Sequence, residues 1–461
     1  MQFELRSKNF YKKTGRLMAP VALQQLITVG INFLDNLMIG GFGETQIAAA
    51  SFGNQFYSLF QFICMGLGSG AVVLSSQFWG RRELEPMRRV AAIALRLTAA
   101  FCLALTLVTA LFPQVILRAF THDAPVIAVG TPYMRLIGLT FLLAGLTSTA
   151  TYLLRSVGNV RIPLIGSAGA FFLNLFFNWV FIFGKLGAPR LELVGAAVGT
   201  VIARAFEFCF VFGYFMLRDT RFRFRPRQFF LAGGELWRPY LKYGIPVLVS
   251  DALLGVSVTL ISVITGHMGE EVATASSIVN TLSQLTNVLS MAIAGAAAIV
   301  VGNTIGQGDI PRAKRESNSY IVLALLLGLI VMVPLLLLEG PYFNMYTIKA
   351  HTRAVAHGML LVNALSMPLQ TLSNAVSKGI LRGGGDTRFL LVADSGGLWL
   401  ISLPLGALAA YVWHMDAVWV YLFLMIQYPL KGIICWIRYA TGRWVKVITA
   451  NGVSAGKEQD G

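Results

Sequence analysis

Stretches of about twenty or more predominantly apolar residues recur along nearly the whole chain, each long enough to cross a hydrocarbon core roughly 30 Å thick. Twelve can be drawn, at roughly 15–39, 46–74, 89–112, 126–154, 162–184, 193–217, 241–266, 272–301, 317–338, 354–381, 388–412 and 416–440. Only 13% of the 461 residues are charged while 56% are hydrophobic, and a soluble fold carries roughly 25% charge. A transmembrane β-barrel would show segments of about ten alternating residues, and none is found. The expected fold is therefore an all-α integral membrane protein of twelve transmembrane helices.

The net charge of +16 could point to nucleic acid, but most cations sit in short connections between apolar runs and not along one polar face. A lipid bilayer explains them, and no nucleic-acid partner is expected. Basic residues in short loops orient helices toward the cytoplasm. Lys8, Lys12, Lys13 and Arg16, then Arg81, Arg82, Arg88 and Arg89, then Arg221, Arg223, Arg225 and Arg227, then Arg312, Lys314 and Arg315, and finally Arg438, Arg443 and Lys446 all fall on one side. The opposite loops are poorer in cations and hold Glu44, Asp123, Glu270, Glu271 and Asp416. An even number of spans then places both termini in the cytoplasm of a multi-pass protein of the plasma (inner) membrane. The polar, basic N-terminus does not read as a cleaved signal peptide. Cys64, Cys102, Cys209 and Cys435 lie within apolar segments and imply neither a disulfide framework nor a metal site.

The chain is internally duplicated. An offset of 226 aligns Pro20 with Pro246, Gly40 with Gly266, Gly43 with Gly269, Glu44 with Glu270, Gly80 with Gly306, Arg89 with Arg315 and Thr121 with Thr347, without a gap. An offset of 227 then pairs Arg155 with Arg382, Gly158 with Gly385, and Arg161 with Arg388. Each unit holds six spans, so both enter the bilayer in the same direction as parallel repeats, an arrangement that favours a transporter with a site between lobes. The expected organisation is an N-terminal lobe over 1–217, a cytoplasmic linker over 218–240, a C-terminal lobe over 241–445 and a cytoplasmic tail over 446–461.

A charge at the bilayer centre costs roughly 2.5–3.5 kcal/mol on insertion scales, so a carboxylate inside a span is a functional candidate. Asp35 is the clearest. Gln25, Thr28, Asn32 and Asp35 are spaced by three, four and three, which sets them on one face of the first helix. In the second span Ser51, Asn54, Ser58 and Gln61 repeat the pattern, and Ser277, Asn280, Gln284 and Asn287 do so in the eighth. These amide stripes either line a cavity or glue helices together. Asn174 and Asn178 share a face of the fifth span, and the sixth offers Thr200. A carboxylate with amide and hydroxyl oxygens suits a small hard cation, and the same carboxylate could instead take a proton.

The position equivalent to Asp35 is Ile261, so this site belongs to the first half alone. The second half has Asp251, opposite Gln25 in the repeat, which is expected to face a cavity. Asp394 begins the eleventh span near Arg388 and could simply sit at the interface. Arg204 and Glu207, three apart, read as a structural pair, with Lys431 replacing Arg204 in the second half. The glycine clusters at 65–73 and 292–302 suit close helix packing. No Walker A sequence, nucleophile elbow, HExxH run or paired His/Cys ligands occur, so neither an enzyme nor ATP-driven transport within this chain is expected, and no cofactor.

At these residues the chain resembles the MATE family of multidrug and toxic compound extrusion transporters. The carrying segments are LQQLITVGINFLDNLMIGGFGE (23–44), GLGSGAVVLSSQFWGRRE (66–83), LLRSVGNVRIP (153–163), NLFFNWVFIFG (174–184), GAAVGTVIAR (195–204), IVVGNTIGQGD (299–309) and GILRGGGDTR (379–388). The resemblance covers essentially the whole chain. It implies a V of two six-helix lobes working as a monomer, a secondary active antiporter that exports cationic amphipathic compounds in exchange for Na⁺ or H⁺ by alternating access. It carries the family's first-lobe cation site onto Asp35, Asn174, Asn178 and Thr200. One fifth-span position is a carboxylate in some members, but Asn178 is neutral, which leaves Asp35 as the ionisable ligand. Asp251 looks like an acidic position of some bacterial members. Others carry a carboxylate in the tenth span, where this chain has Thr371, Ser373 and Asn374.

The substrate cavity is expected to draw on Gln25, Asn32, Asn54, Gln61, Asp251, Asn280 and Gln284. Two other readings remain, a flippase for lipid-linked precursors in the wider superfamily and a non-transporting membrane receptor or scaffold.

Overall fold

The computed structural model describes Glu4 and residues 8–344 and 348–448. Thr347 and most of the expected tail, 449–461, lie outside the described residues, as do the side chains of Lys8, Asn32 and Glu44. A backbone in lipid must satisfy its own polar groups, and the chain does so with helices; no strand occurs among the described residues.

Among the described residues, twelve helices carry the fold. The first six are α1 (Lys8–Ile39), α2 (Glu44–Gly80), α3 (Leu84–Leu111), α4 (Ala124–Ser156), α5 (Arg161–Phe183) and α6 (Glu192–Leu217). The second six are α7 (Trp237–His267), α8 (Glu270–Gly306), α9 (Ile310–Leu337), α10 (Ala350–Asn374), α11 (Thr387–Tyr411) and α12 (Ala417–Ala440). Among the described residues, eleven helices are long and apolar enough to cross a membrane. The expected span at 354–381 is present as α10 but is more polar: Asn363, Gln370, Thr371, Ser373 and Asn374 are all buried within it. Its polar residues face protein, where Asn363 bonds to Ser283, Gln370 to Tyr428 and Asn374 to Ser290 and Lys431, partners that lipid cannot offer.

The sequence repeat is legible in the helices. α2 and α8 are both 37 residues long. Pro20 and Pro246 lie inside α1 and α7 at equivalent positions, and a proline mid-helix frees a carbonyl. Gly80 and Gly306 meet the partner helix reciprocally: a Cβ on Gly80 would lie 2.1 Å from the Asn303 carbonyl oxygen, and one on Gly306 would lie 2.0 Å from that of Gln77. Gln77 and Asn303 are themselves repeat equivalents. Small residues are required there because backbone touches backbone.

Packing divides the chain into two compact units. One comprises Leu23–Ser75 with Leu84–Tyr240; the other comprises Met1–Ala22, Ser76–Glu83 and Leu241–Gly461. The first unit's core gathers Phe60, Cys64, Cys102, Phe141 and Ile182, with the two thiol sulfurs 4.0 Å apart. The second unit's core gathers Ile278, Phe343, Met359, Met367 and Tyr421. In this unit the side chain of Gln77 clasps the segment that follows α12: its Nε2 donates to the Gly383 and Lys446 carbonyls at 3.2 and 3.1 Å, and Ile448 N donates to its Oε1 at 2.9 Å.

Candidate functional site

In the first unit, α1, α5 and α6 bring together the residues expected to hold a cation. Asn178 Nδ2 donates to Asp35 Oδ1 at 2.5 Å and to Asn174 Oδ1 at 3.2 Å. Asn174 Nδ2 in turn donates to Thr200 Oγ1 at 3.4 Å. Asn174 and Asn178 stack because they are one turn apart on α5, and both are buried. The Asn178 Oδ1 acceptor is buried and has no partner. Close approach of α6 makes this possible, since a Cβ on Gly199 would collide with that oxygen. A carboxylate beside a spare amide oxygen and a hydroxyl is an oxygen donor set suited to a hard cation. Among the described residues no group of three or more His, Cys, Asp or Glu is placed to hold a metal ion.

About 10 Å back along α1, two helical turns from Asp35, the polar stripe opens on a cavity. Gln25 and Thr28 line it together with Ser58 and Gln61 of α2, and its volume is about 310 Å³. The stripe residue Asn32 lies outside the described side chains. Asn54 is bonded within the unit, accepting from the Tyr133 hydroxyl at 3.5 Å. Arg204 and Glu207 form their pair at 2.7 Å, and they also line this cavity. Glu207 is held from its other side by Ser167 Oγ at 2.7 Å.

The second unit has an equivalent cavity of about 290 Å³, lined by Asn280, Gln284 and Asn287. Ser283, Gln284 and Asn287 there are the repeat equivalents of Tyr57, Ser58 and Gln61 in the first cavity. Its lining contains no charged side chain.

The expectation that Asp251 faces this cavity is corrected by the structure. Asp251 is fully buried. It is bonded to Lys378 Nζ at 3.3 Å and Arg382 Nη2 at 3.0 Å. The physical reason is that two buried cations follow α10, where the helix widens into π turns over Ala375–Leu381, and they need a counter-ion in the dry interior. Asp394 likewise is no bystander near Arg388. It pairs with Lys431 at 3.3 Å and accepts from Ser250 at 3.0 Å. Asn374 accepts from Lys431 at 3.0 Å and donates to Ser290 at 3.1 Å, so the tenth-span amide is engaged in this same network.

Two features escaped the sequence reading. Lys378 was not singled out, although it stands where the first half has Thr151. The bond Gln24 to Ser167, at 2.9 Å, is repeated by Ser250 to Asp394 at 3.0 Å between the same register positions. The carboxylate that neutralises the sixth-helix cation has moved from Glu207 in one half to Asp394 in the other. The repeat alignment carried this signal, because Ser167 aligns with Asp394, and Glu207 with Ile434.

A family profile described as MatE matches residues 20–180 and 246–408, once in each half. The chain is 27% identical over 409 residues to a probable multidrug resistance protein NorM of Halalkalibacterium halodurans, covering 86% of each. It superimposes with a TM-score of 0.84 on an outward-facing multidrug resistance MATE family transporter of the MOP superfamily, at 18% identity, covering 94% of this chain and 96% of that one. It also superimposes, with a TM-score of 0.85 and 17% identity, on a MOP superfamily transporter from Pyrococcus furiosus, covering 94% of this chain and 95% of that one. That protein is described as having a binding pocket of reverse polarity that suggests a different function.

Proposed function

Since this chain belongs to the MatE family of two-lobed multi-pass membrane transporters, we propose that it is a secondary antiporter that expels small amphipathic compounds in exchange for inward Na⁺ or H⁺. The observation that carries the reading is the Asp35 carboxylate on Asn178, beside an Asn178 oxygen left buried and free to take a further ligand. Loading Asp35 neutralises it, and the bond from Asn178 changes with it. Because the same helix α1 lines the cavity through Gln25 and Thr28, ion loading and cargo binding are linked through one rigid element. Exchange requires that ion and cargo favour different conformations, since equal affinity for both shifts nothing.

In this reading the repeats 1–217 and 241–445 act as the two lobes, joined by 218–240, in a monomer of the inner membrane with both termini cytoplasmic. The basic loops support that orientation. A precursor flippase or a scaffold would have no need of a lone carboxylate paired with a free amide oxygen.

The test is flux in proteoliposomes loaded with a fluorescent amphipathic compound, with a Na⁺ gradient and a pH gradient imposed separately. Export driven by one gradient and absent without any gradient is the expected result and identifies the ion. Export indifferent to both gradients would remove the antiport reading.

A further inference from the structure

The lobe that holds Asp35 also contains an arginine without an acid. Arg155, in the last turn of α4, lines the 310 Å³ cavity together with Tyr57, Gln61, Tyr152, Arg204 and Glu207. Arg204 and Glu207 neutralise one another at 2.7 Å, so the lining keeps one net positive charge, that of Arg155. Its guanidinium lies over the Tyr152 ring at 5.5 Å, and its Nη2 donates to Gln24 Oε1 at 2.5 Å. Arg155 Nε is buried with no partner, and Arg155 forms no ion pair among the described residues. A cation at a helix C-terminus is favoured by the helix dipole, but that leaves the fork of donors unfilled.

The second half shows what the missing group is. Arg382 is the repeat equivalent of Arg155, and its guanidinium is bonded at 3.0 Å to Asp251, the equivalent of Gln25. Where one half supplies a carboxylate from α7, the other offers a neutral amide and an open cavity. Planar guanidinium matches carboxylate geometry, and the contact is strongest where water is excluded. The cavity volume lies at the lower end of the range for small-ligand sites, and Tyr57 and Tyr152 are among its lining side chains.

We propose that this cavity binds the carboxylate of a small aromatic acid, with the acid group on Arg155 and the ring against Tyr57 and Tyr152, so that cargo completes the charge pair that Asp251 completes in the other half. The inference rests on the export reading above and names its cargo class, in place of the cationic compounds that the family resemblance implies.

The experiment is equilibrium binding of 2-naphthoate, and of 2-naphthylmethylammonium as the cation of similar size, to the full chain in phosphatidylcholine nanodiscs without any gradient. Naphthoate is expected to bind the more tightly. Arg155→Gln and Gln25→Asp should each weaken naphthoate roughly tenfold or more, the second by installing the internal acid that the other half already has, and Arg155→Lys should restore part of the loss. Equal affinity for the ammonium, or naphthoate binding unchanged in both Arg155→Gln and Gln25→Asp, overturns the proposal. Repeating the measurement with phosphatidylglycerol in the nanodisc separates the two sources of an anionic group: competitive loss of naphthoate that vanishes in Arg155→Gln assigns the site to a lipid headgroup and overturns the cargo reading. Gradient-driven export of another compound that survives a failure of naphthoate binding would leave the antiport function standing, and naphthoate binding without any driven export would do the reverse.

Discussion

Asp35 of α1 accepts a hydrogen bond from Asn178 of α5 at 2.5 Å, so the acid of the first helix and the amide of the fifth report to each other directly. Asn178 is also bonded to Asn174 at 3.2 Å, which makes the amide a relay between the carboxylate and the α5–α6 contact. Asp35→Asn keeps the size of the side chain but can carry neither a proton nor a cation's counter-charge. It is expected to insert normally and to lose gradient-driven export by roughly tenfold or more, the scale of one charge-assisted hydrogen bond. Flux in vesicles, normalised to protein incorporated, checks this, and wild-type rates would remove Asp35 from the mechanism.

Asp251 serves stability in a way that Asp35 does not. Its replacement by Asn leaves Lys378 and Arg382 buried without their carboxylate, a change of about 3–5 kcal/mol for a broken buried pair. The double variant Asp251→Asn with Lys378→Met should cost less than the sum of the single changes, because the sites are coupled. Thermal unfolding in detergent of the four proteins of the cycle measures it; strict additivity would contradict the pairing.

The backbone approach of α2 and α8 gives a steric prediction with an internal control. Gly306→Ala places a Cβ 2.0 Å from the Gln77 carbonyl oxygen, whereas Gly295→Ala in the same helix meets nothing within 4 Å. The first should destabilise by about 1–3 kcal/mol through overpacking. The second should be neutral or stabilise by up to about 1 kcal/mol, since alanine is the better helix former. Melting temperatures that move together for both variants would contradict the contact.

Gln77→Leu removes the acceptor of Ile448 N and the donor to Gly383 and Lys446. Each buried group left unpartnered costs about 1–3 kcal/mol. Hydrogen exchange at the Ile448 amide is expected to accelerate while exchange in α4 and α5 stays as in the wild type. An unchanged rate at Ile448 would show that Gln77 does not hold this segment.

Much of the molecule can be read from residue order alone. Apolar length sets the helices because lipid offers the backbone no other partner, and the repeat register pairs Pro20 with Pro246 and Gly80 with Gly306. The spacing of Gln25, Thr28 and Asp35 puts polar groups on one face of α1. That Asp35, Asn174 and Asn178 could serve one cation follows from their oxygen chemistry, but their assignment to one site rests on family resemblance, because nothing in the spacing of α1 states which face of α5 it will touch.

What residue order left open was the pairing of charges. Asp251 and Asp394 look alike as acids inside spans, and only the packed helices show that both are spent on buried cations, Asp251 on Lys378 and Arg382 and Asp394 on Lys431. Arg155 and Arg382 look alike as repeat-equivalent arginines, yet one is neutralised and the other faces a cavity. The reason is physical: helical periodicity is a local property carried by i, i+3 and i+4 neighbours. Whether a buried charge is paired depends on side chains that helix packing brings from other helices, 37 residues away for Asp394 and Lys431 and 127 or more for Asp251 with Lys378 and Arg382. The sequence therefore determined the helices, their duplication and their polar faces, and the tertiary structure decided which buried charges are paired and that Arg155 lines a cavity.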